Sequence, residues 1–245
     1  MATGGQERSD PGKATGGQER SDPGKATGGQ ERVTRRYGGQ TADDRVAERR
    51  ARLLAAGLEL MGTRGIAGTT VRGVTETSGV AARYFYESFP DIEALHLAVY
   101  DSVVEESARR SVTALAEAPD DDLARTRAVL AELVDLILAD PRKGRILVLE
   151  ATASPALGRR SLQESSRFAG MLASTASSGD PGLPTDDLPT DLRLVSQFLV
   201  GGVTSTIGAV LLGDVEVDRE HLVDVLVALF EAIRAASPGQ PRNDS

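Results

Sequence analysis

Apolar residues recur at three- and four-residue spacing through most of this chain, the period of helices that bury one face. Val46, Leu53, Leu54, Gly57, Leu60 and Met61 trace such a face between Asp43 or Asp44 and Arg64. Asp suits the N-cap there, and Arg64-Gly65 supplies the stop, because Gly can take a positive φ. Thr69 or Thr70 then caps a short second helix with Val71 and Val74 inward, Gly79 makes a turn and Val80 anchors it. A third helix is expected over Ala82–Ser88, broken by Pro90, with Asp91 capping the next. A helix of about twenty residues, one of about eight, a Gly turn and another short helix is the helix-turn-helix arrangement.

The alternation of helix and breaker continues. Asp91–Ala118 reads as one long helix, ended by Pro119-Asp120-Asp121-Asp122. Leu123–Ala139 is the next, with Val129, Leu130, Leu133, Leu136 and Ile137 inward. Asp140-Pro141, a cap followed by Pro at the first helical position, opens Pro141–Ala153. Pro155 or Ala156 starts a helix to about Ser177. A Gly-, Pro- and Asp-rich loop spans Ser178–Thr190, and Asp191–Leu212 and Asp218–Ala236 are the last helices. The expected fold class is all-α with about nine helices: a three-helix unit carrying the helix-turn-helix over 43–98, then a second helical unit over 99–237. Leu194–Gly213 carries no charge over a length that could span a bilayer. Ser196, Gln197, Thr204, Ser205, Thr206 and its glycines make a buried or interface helix the better reading, so no membrane partner is expected.

The opening of the chain breaks the pattern. ATGGQERSDPGK stands at Ala2–Lys13 and again at Ala14–Lys25, and ATGGQER follows at Ala26–Arg32. These units hold no Leu, Ile, Val or aromatic residue, so they have no face to bury. Residues 1–40 are expected to be a disordered tail, with Arg32, Arg35 and Arg36 as an alternative DNA-touching arm, and 238–245 a second disordered tail. Composition excludes more than it assigns. The chain has no Cys, and its two His residues, His96 and His221, lie far apart, so neither a thiolate nor a histidine metal centre is expected. No nucleophile–base pair or phosphate loop stands out, so no catalytic residue, enzyme activity or cofactor is expected. No signal peptide is visible and a cytoplasmic location is expected. The net charge of −8 is uneven: residues 1–40 carry +2, 41–95 carry −1 and the remaining 150 carry −9. The acidic body would weaken non-specific DNA binding without forbidding a local contact surface.

Within the helix-turn-helix, the second short helix can enter a major groove. Thr69 and Thr70 sit at a helix start and suit a phosphate. Arg83 can donate to base edges, and Tyr84 and Tyr86 offer hydroxyls and apolar rims; Arg72, Ala82 and Glu87 complete the candidate contacts. The stretch RLLAAGLELMGTRGIAGTTVRGVTETSGVAARYFYESFPDIEAL resembles the N-terminal domain of TetR-family transcriptional regulators. The resemblance lies in the Leu-Leu-Ala-Ala helix, Gly65, Thr69-Thr70-Val71, Gly79-Val80, Tyr86, Phe89 and Leu95. Departures stand at Ala81, where that family usually has a polar N-cap, and at Ile92, where a phosphate-contacting Lys is common; Gly73 and Thr75 also differ.

The resemblance implies a DNA-binding domain over 43–98 and a regulatory and dimerisation domain over 99–237, and with them a homodimer, a palindromic DNA operator and a small-molecule effector whose binding releases a repressor. The alternative is an all-helical small-molecule-binding dimer with weak or lost DNA binding. A dimer face is expected from Val200, Val203, Ile207 and Val210, joined by Leu222, Val225, Leu229 and Ile233, with Gly201, Gly202 and Gly208 allowing close approach. Pocket candidates are Val103, Leu133, Ile137, Leu147, Phe168 and Leu172, with Ser107, Gln163 and Arg167 as polar contacts.

Overall fold

A computed structural model of the chain describes residues 42–178 and 189–236. The two expected tails and most of the Ser178–Thr190 loop lie outside them. The described residues are helical, with no strand among them. The helices are α1 (Ala42–Arg64), α2 (Val71–Ser78), α3 (Ala82–Ser88), α4 (Ile92–Glu117), α5 (Asp122–Ala139), α6 (Pro141–Gly144), α7 (Pro155–Ser178), α8 (Thr190–Leu212) and α9 (Arg219–Ala236).

Capping residues explain most boundaries. Asp91 accepts from the Ala94 amide and Asp121 from Ala124, both at 2.8 Å. Asp218 accepts from His221 at 2.9 Å and Asp140 from Arg142 at 3.2 Å. Each satisfies a donor that the first helical turn leaves free. α8 ends at Gly213, which adopts φ 77°.

One expected helix does not form as drawn. Pro141–Ala153 is α-helical only to Gly144; Arg145–Leu149 is a π-helical turn and Glu150–Thr152 a 3-10 turn. The Glu150 amide donates to the Arg145 carbonyl, the five-residue step of a π turn. Such turns redirect the side chains that follow, and they concentrate at functional sites.

Packing pools the helices into two clusters. The first joins Leu53, Leu60, Met61, Val74, Phe85, Phe89, Leu95 and Val99 with Ile146 of the π turn and with Ala151 and Leu157 beyond it. The second joins Leu130, Val134 and Ile137 of α5 with Val203 and Ile207 of α8 and Leu222, Val223 and Leu226 of α9. Several residues expected on a dimer face lie in this cluster or against it. Val203, Ile207 and Leu222 serve the subunit's own core, and Val200 and Val210 are half-buried. Gly208 is buried too, where an added Cβ would meet Val148 at 2.9 Å. The apolar residues that α8 shows to solvent are instead Leu194 (65% exposed), Phe198 (68%) and Leu212, beside Val225 and Leu229 of α9. By length and composition α8 could cross a membrane. Here Ser196, Leu199, Val203, Ile207 and Gly208 line its buried side.

Candidate nucleic-acid interface

The three N-terminal helices position α3 by burying one of its faces. Phe85 is wholly buried, and its ring lies 5.4 Å from Tyr86 edge-on and 5.8 Å from Phe89. That anchor turns Ala82, Arg83, Tyr86 and Glu87 outward; Tyr86 is 59% exposed. Gly79, at φ 64°, ends α2 in the left-handed conformation and lets the chain turn into Val80, which is buried.

α1 contributes three arginines to the same unit. Arg50 donates to the Ser88 carbonyl at 3.3 Å and stacks on Phe89, 4.4 Å from its centroid. Arg52 donates to the Ser78 carbonyl. These two cap the C-termini of α3 and α2, where carbonyls lack helical partners and cations suit the dipole. Arg49 and Arg83 both lie 4.4 Å from the Tyr84 ring centroid, and Arg83 also donates to the Tyr84 hydroxyl. Sequence reading missed these α1 residues. Their signal in the sequence is the basic cluster of Arg49, Arg50 and Arg52, of which Arg49 and Arg52 share a helix face.

The candidate contacts do not all survive in the roles assigned to them. Thr70 is exposed and caps α2, accepting from the Gly73 amide at 3.1 Å. Thr69 is buried: its hydroxyl donates to the Gly65 carbonyl at 2.8 Å and its amide to Ile66, so both donors are taken by the protein. Tyr84 is half-buried. Arg72 is exposed and pairs with Glu76 at 2.7 Å, whose hydrogen bond raises its pKa. Ala81 has the backbone of an N-cap, φ −63° and ψ 146°, but no side-chain bond. Ile92 packs against the first core cluster.

The pocket candidates are dispersed. Leu133 and Ile137 belong to the second cluster, Leu147 and Phe168 border the first, and Val103 is buried apart from both; Ser107 and Leu172 are half-buried. A cavity of about 370 Å³ opens elsewhere, between α7 and α8, lined by Ser166, Ala169, Gly170, Arg193, Leu194 and Gln197. No group of three or more acidic or His side chains able to hold a metal occurs among the described residues.

Residues 53–99 match the family described as bacterial regulatory proteins, tetR family. Over these residues the chain is TetR-like in sequence. The TetR-type match ends at Val99, within α4, and the fold likeness extends further. A TetR-family transcriptional regulator from Streptomyces coelicolor superimposes with a TM-score of 0.60 at 23% identity, covering 78% of this chain and 82% of its own. A transcriptional regulator from Rhodococcus sp. Rha1 gives 0.62 at 18%, covering 78% and 99%. A fatty acid degradation regulator from Bacillus halodurans gives 0.59 at 16%, covering 79% and 96%. At these identities the likeness shows the TetR fold. A comparison with curated proteins gives no match.

Proposed function

We propose that the chain is a dimeric, ligand-responsive transcriptional repressor that reads a palindromic operator with α3. The observation that carries the reading is the outward face of α3, with Arg83, Tyr86 and Glu87 free of the core and Phe85 locked beneath them. A second copy would join through the exposed α8–α9 face of Leu194, Phe198, Leu212, Val225 and Leu229. Gly201 and Gly202 add to that face, because a Cβ on either would meet nothing within 4 Å in the subunit. A two-fold axis there would present two readers to half-sites about 34–36 Å apart, one helical turn of DNA. The effector would bind the C-terminal helices and favour a different spacing of the readers, lowering operator affinity by its differential binding energy.

The test is selection of bound duplexes from random DNA, followed by competition binding at fixed salt. Enrichment of an inverted repeat is the expected result, and recovery of no sequence preference would overturn the operator reading. A small-molecule-binding dimer without DNA activity is the second reading. The uncapped start of α3 and the folding of Arg83 onto Tyr84 favour it.

A further inference from the structure

The corner between α1 and α2, Gly65–Thr69, is held from both halves of the chain. Its local bonds come from residues 61–69. Gly65 donates to Met61 at 3.1 Å, Gly68 to Gly65 at 3.2 Å and Thr69 to Ile66 at 3.1 Å. The Thr69 hydroxyl returns to Gly65. Ile66 opens the 3-10 turn Ile66–Gly68, whose capping residue is Gly65 and offers no side-chain acceptor. The acceptor comes from 84 residues away: Glu150 Oε2 takes the Ile66 amide at 2.8 Å. Its other oxygen accepts from Arg145 Nε at 2.9 Å, and the side chain is 10% exposed.

Two peculiarities of the chain meet at this contact. Gly65 adopts φ 72° and ψ 173°, a region that essentially only Gly occupies. A Cβ there would also lie 2.9 Å from Glu150 Oε1, so the bare backbone makes room for the carboxylate. On the other side, Glu150 directly follows the π turn. That turn changes the direction in which Glu150 leaves the helix, relative to a continuous α-helix. A buried carboxylate serving two donors is strongly constrained, because losing either donor leaves desolvated charge uncompensated.

We infer that Glu150 is a positioning residue for DNA recognition. Through the Ile66 amide it ties the C-terminal helices to the corner that leads directly into the Thr70 cap and α2, and so sets the attitude of α2 and α3. The contact stands on the structure alone, and its consequence for DNA rests on the function proposed above. A positioning role predicts loss of sequence-specific binding with non-specific binding intact, because backbone attraction to DNA tolerates a changed angle and base readout does not.

The test is Glu150→Ala in the full chain, with two readouts: hydrogen exchange of the Ile66 amide in the free protein, and affinity for selected operator against random duplex. Ile66 exchange should quicken at least tenfold, and operator affinity should fall by about tenfold, the scale of one charge-assisted hydrogen bond. Random-duplex affinity and its salt slope should not change. Glu150→Gln keeps one acceptor oxygen for the Ile66 amide but meets Arg145 with its NH2, so it should recover part of both effects. A glutamine variant as weak as the alanine variant would assign the effect to charge and overturn the inference. So would unchanged Ile66 exchange, or equal losses on operator and random DNA. Should the alanine variant lose helix content, Glu150→Asp keeps the charge for Arg145 on a shorter arm, and unchanged Ile66 exchange in it overturns the inference. If the unaltered protein shows no operator preference, the functional reading falls, while the exchange result still decides whether Glu150 holds the corner.

Discussion

Replacing Ala81 with Ser should stabilise the recognition helix. Ala81 is exposed and already has the extended backbone of an N-cap, so Ser fits without rearrangement. The first turn of α3 now relies on one carbonyl: Tyr84 donates to Ala81 at 2.9 Å and Phe85 to the same oxygen at a long 3.4 Å. A Ser hydroxyl can accept from the Arg83 or Tyr84 amide, and exchanging Ala for Ser at a cap typically contributes about 1 kcal/mol. For a chain of this size that raises Tm by roughly 2–4 °C. If the first turn must be ordered to enter the groove, operator affinity should rise by up to about fivefold. Thr70→Ala is the reciprocal control in the same unit, since it removes the bond from Gly73 and should cost about 1 kcal/mol. Thermal unfolding by circular dichroism and operator titration read both variants. An Ala81→Ser protein no more stable than the original, beside a destabilised Thr70→Ala, would refute the claim that α3 lacks a cap.

Three further outcomes are expected. Arg83→Ala and Tyr86→Ala should each weaken operator binding by about 1–3 kcal/mol with helix content unchanged, as gel shifts and circular dichroism would report. Unchanged shifts for both would remove α3 as the reader. Phe198→Glu, at a 68% exposed position, should turn a light-scattering dimer into a folded monomer; a persisting dimer would place the interface elsewhere. His96 is 5% exposed, burial holds its pKa below the ordinary 6.5, and its Nε2 has no hydrogen-bond partner among the described residues. The unfolded chain therefore binds the proton more readily. Stability should be full above about pH 6.5 and decline as pH falls below it, with nearby Asp91, Glu93 and Glu150 softening the loss. His96→Gln should flatten that slope in denaturant titrations between about pH 5 and 7.

Helix ends were legible because local chemistry decides them. Asp91, Asp121, Asp140 and Asp218 cap the helices they were expected to open or precede, and α3 spans the expected Ala82–Ser88. The break inside Pro141–Ala153 was not legible, because Arg145–Leu149 contains neither a cap nor a breaker. Its cause is tertiary, the packing of Ile146 and Ala151 into the first cluster and the Glu150–Ile66 bond. The inward side of α8 was also hidden. Apolar residues surround most of that helix, so periodicity could not separate buried Val203 and Ile207 from exposed Leu194 and Phe198. Thr69 shows a similar limit: two adjacent threonines both look like caps, and the backbone turns one inward.

The first core cluster draws Ile146, Ala151 and Leu157 together with Leu53, Phe85 and Phe89, and the Ile66 amide waits for an acceptor 84 residues further on. On the ribosome this becomes a delay. At about 5–20 residues per second, Glu150 is made roughly 4 to 17 s after Ile66. During those seconds the nascent N-terminal helices can assemble their own turns, but part of their apolar surface has no cover. That interval is when a chaperone or a stray hydrophobic surface competes for them, so a substitution at Ile146 or Leu157 should lower the yield of soluble protein even where the finished N-terminal helices are unchanged.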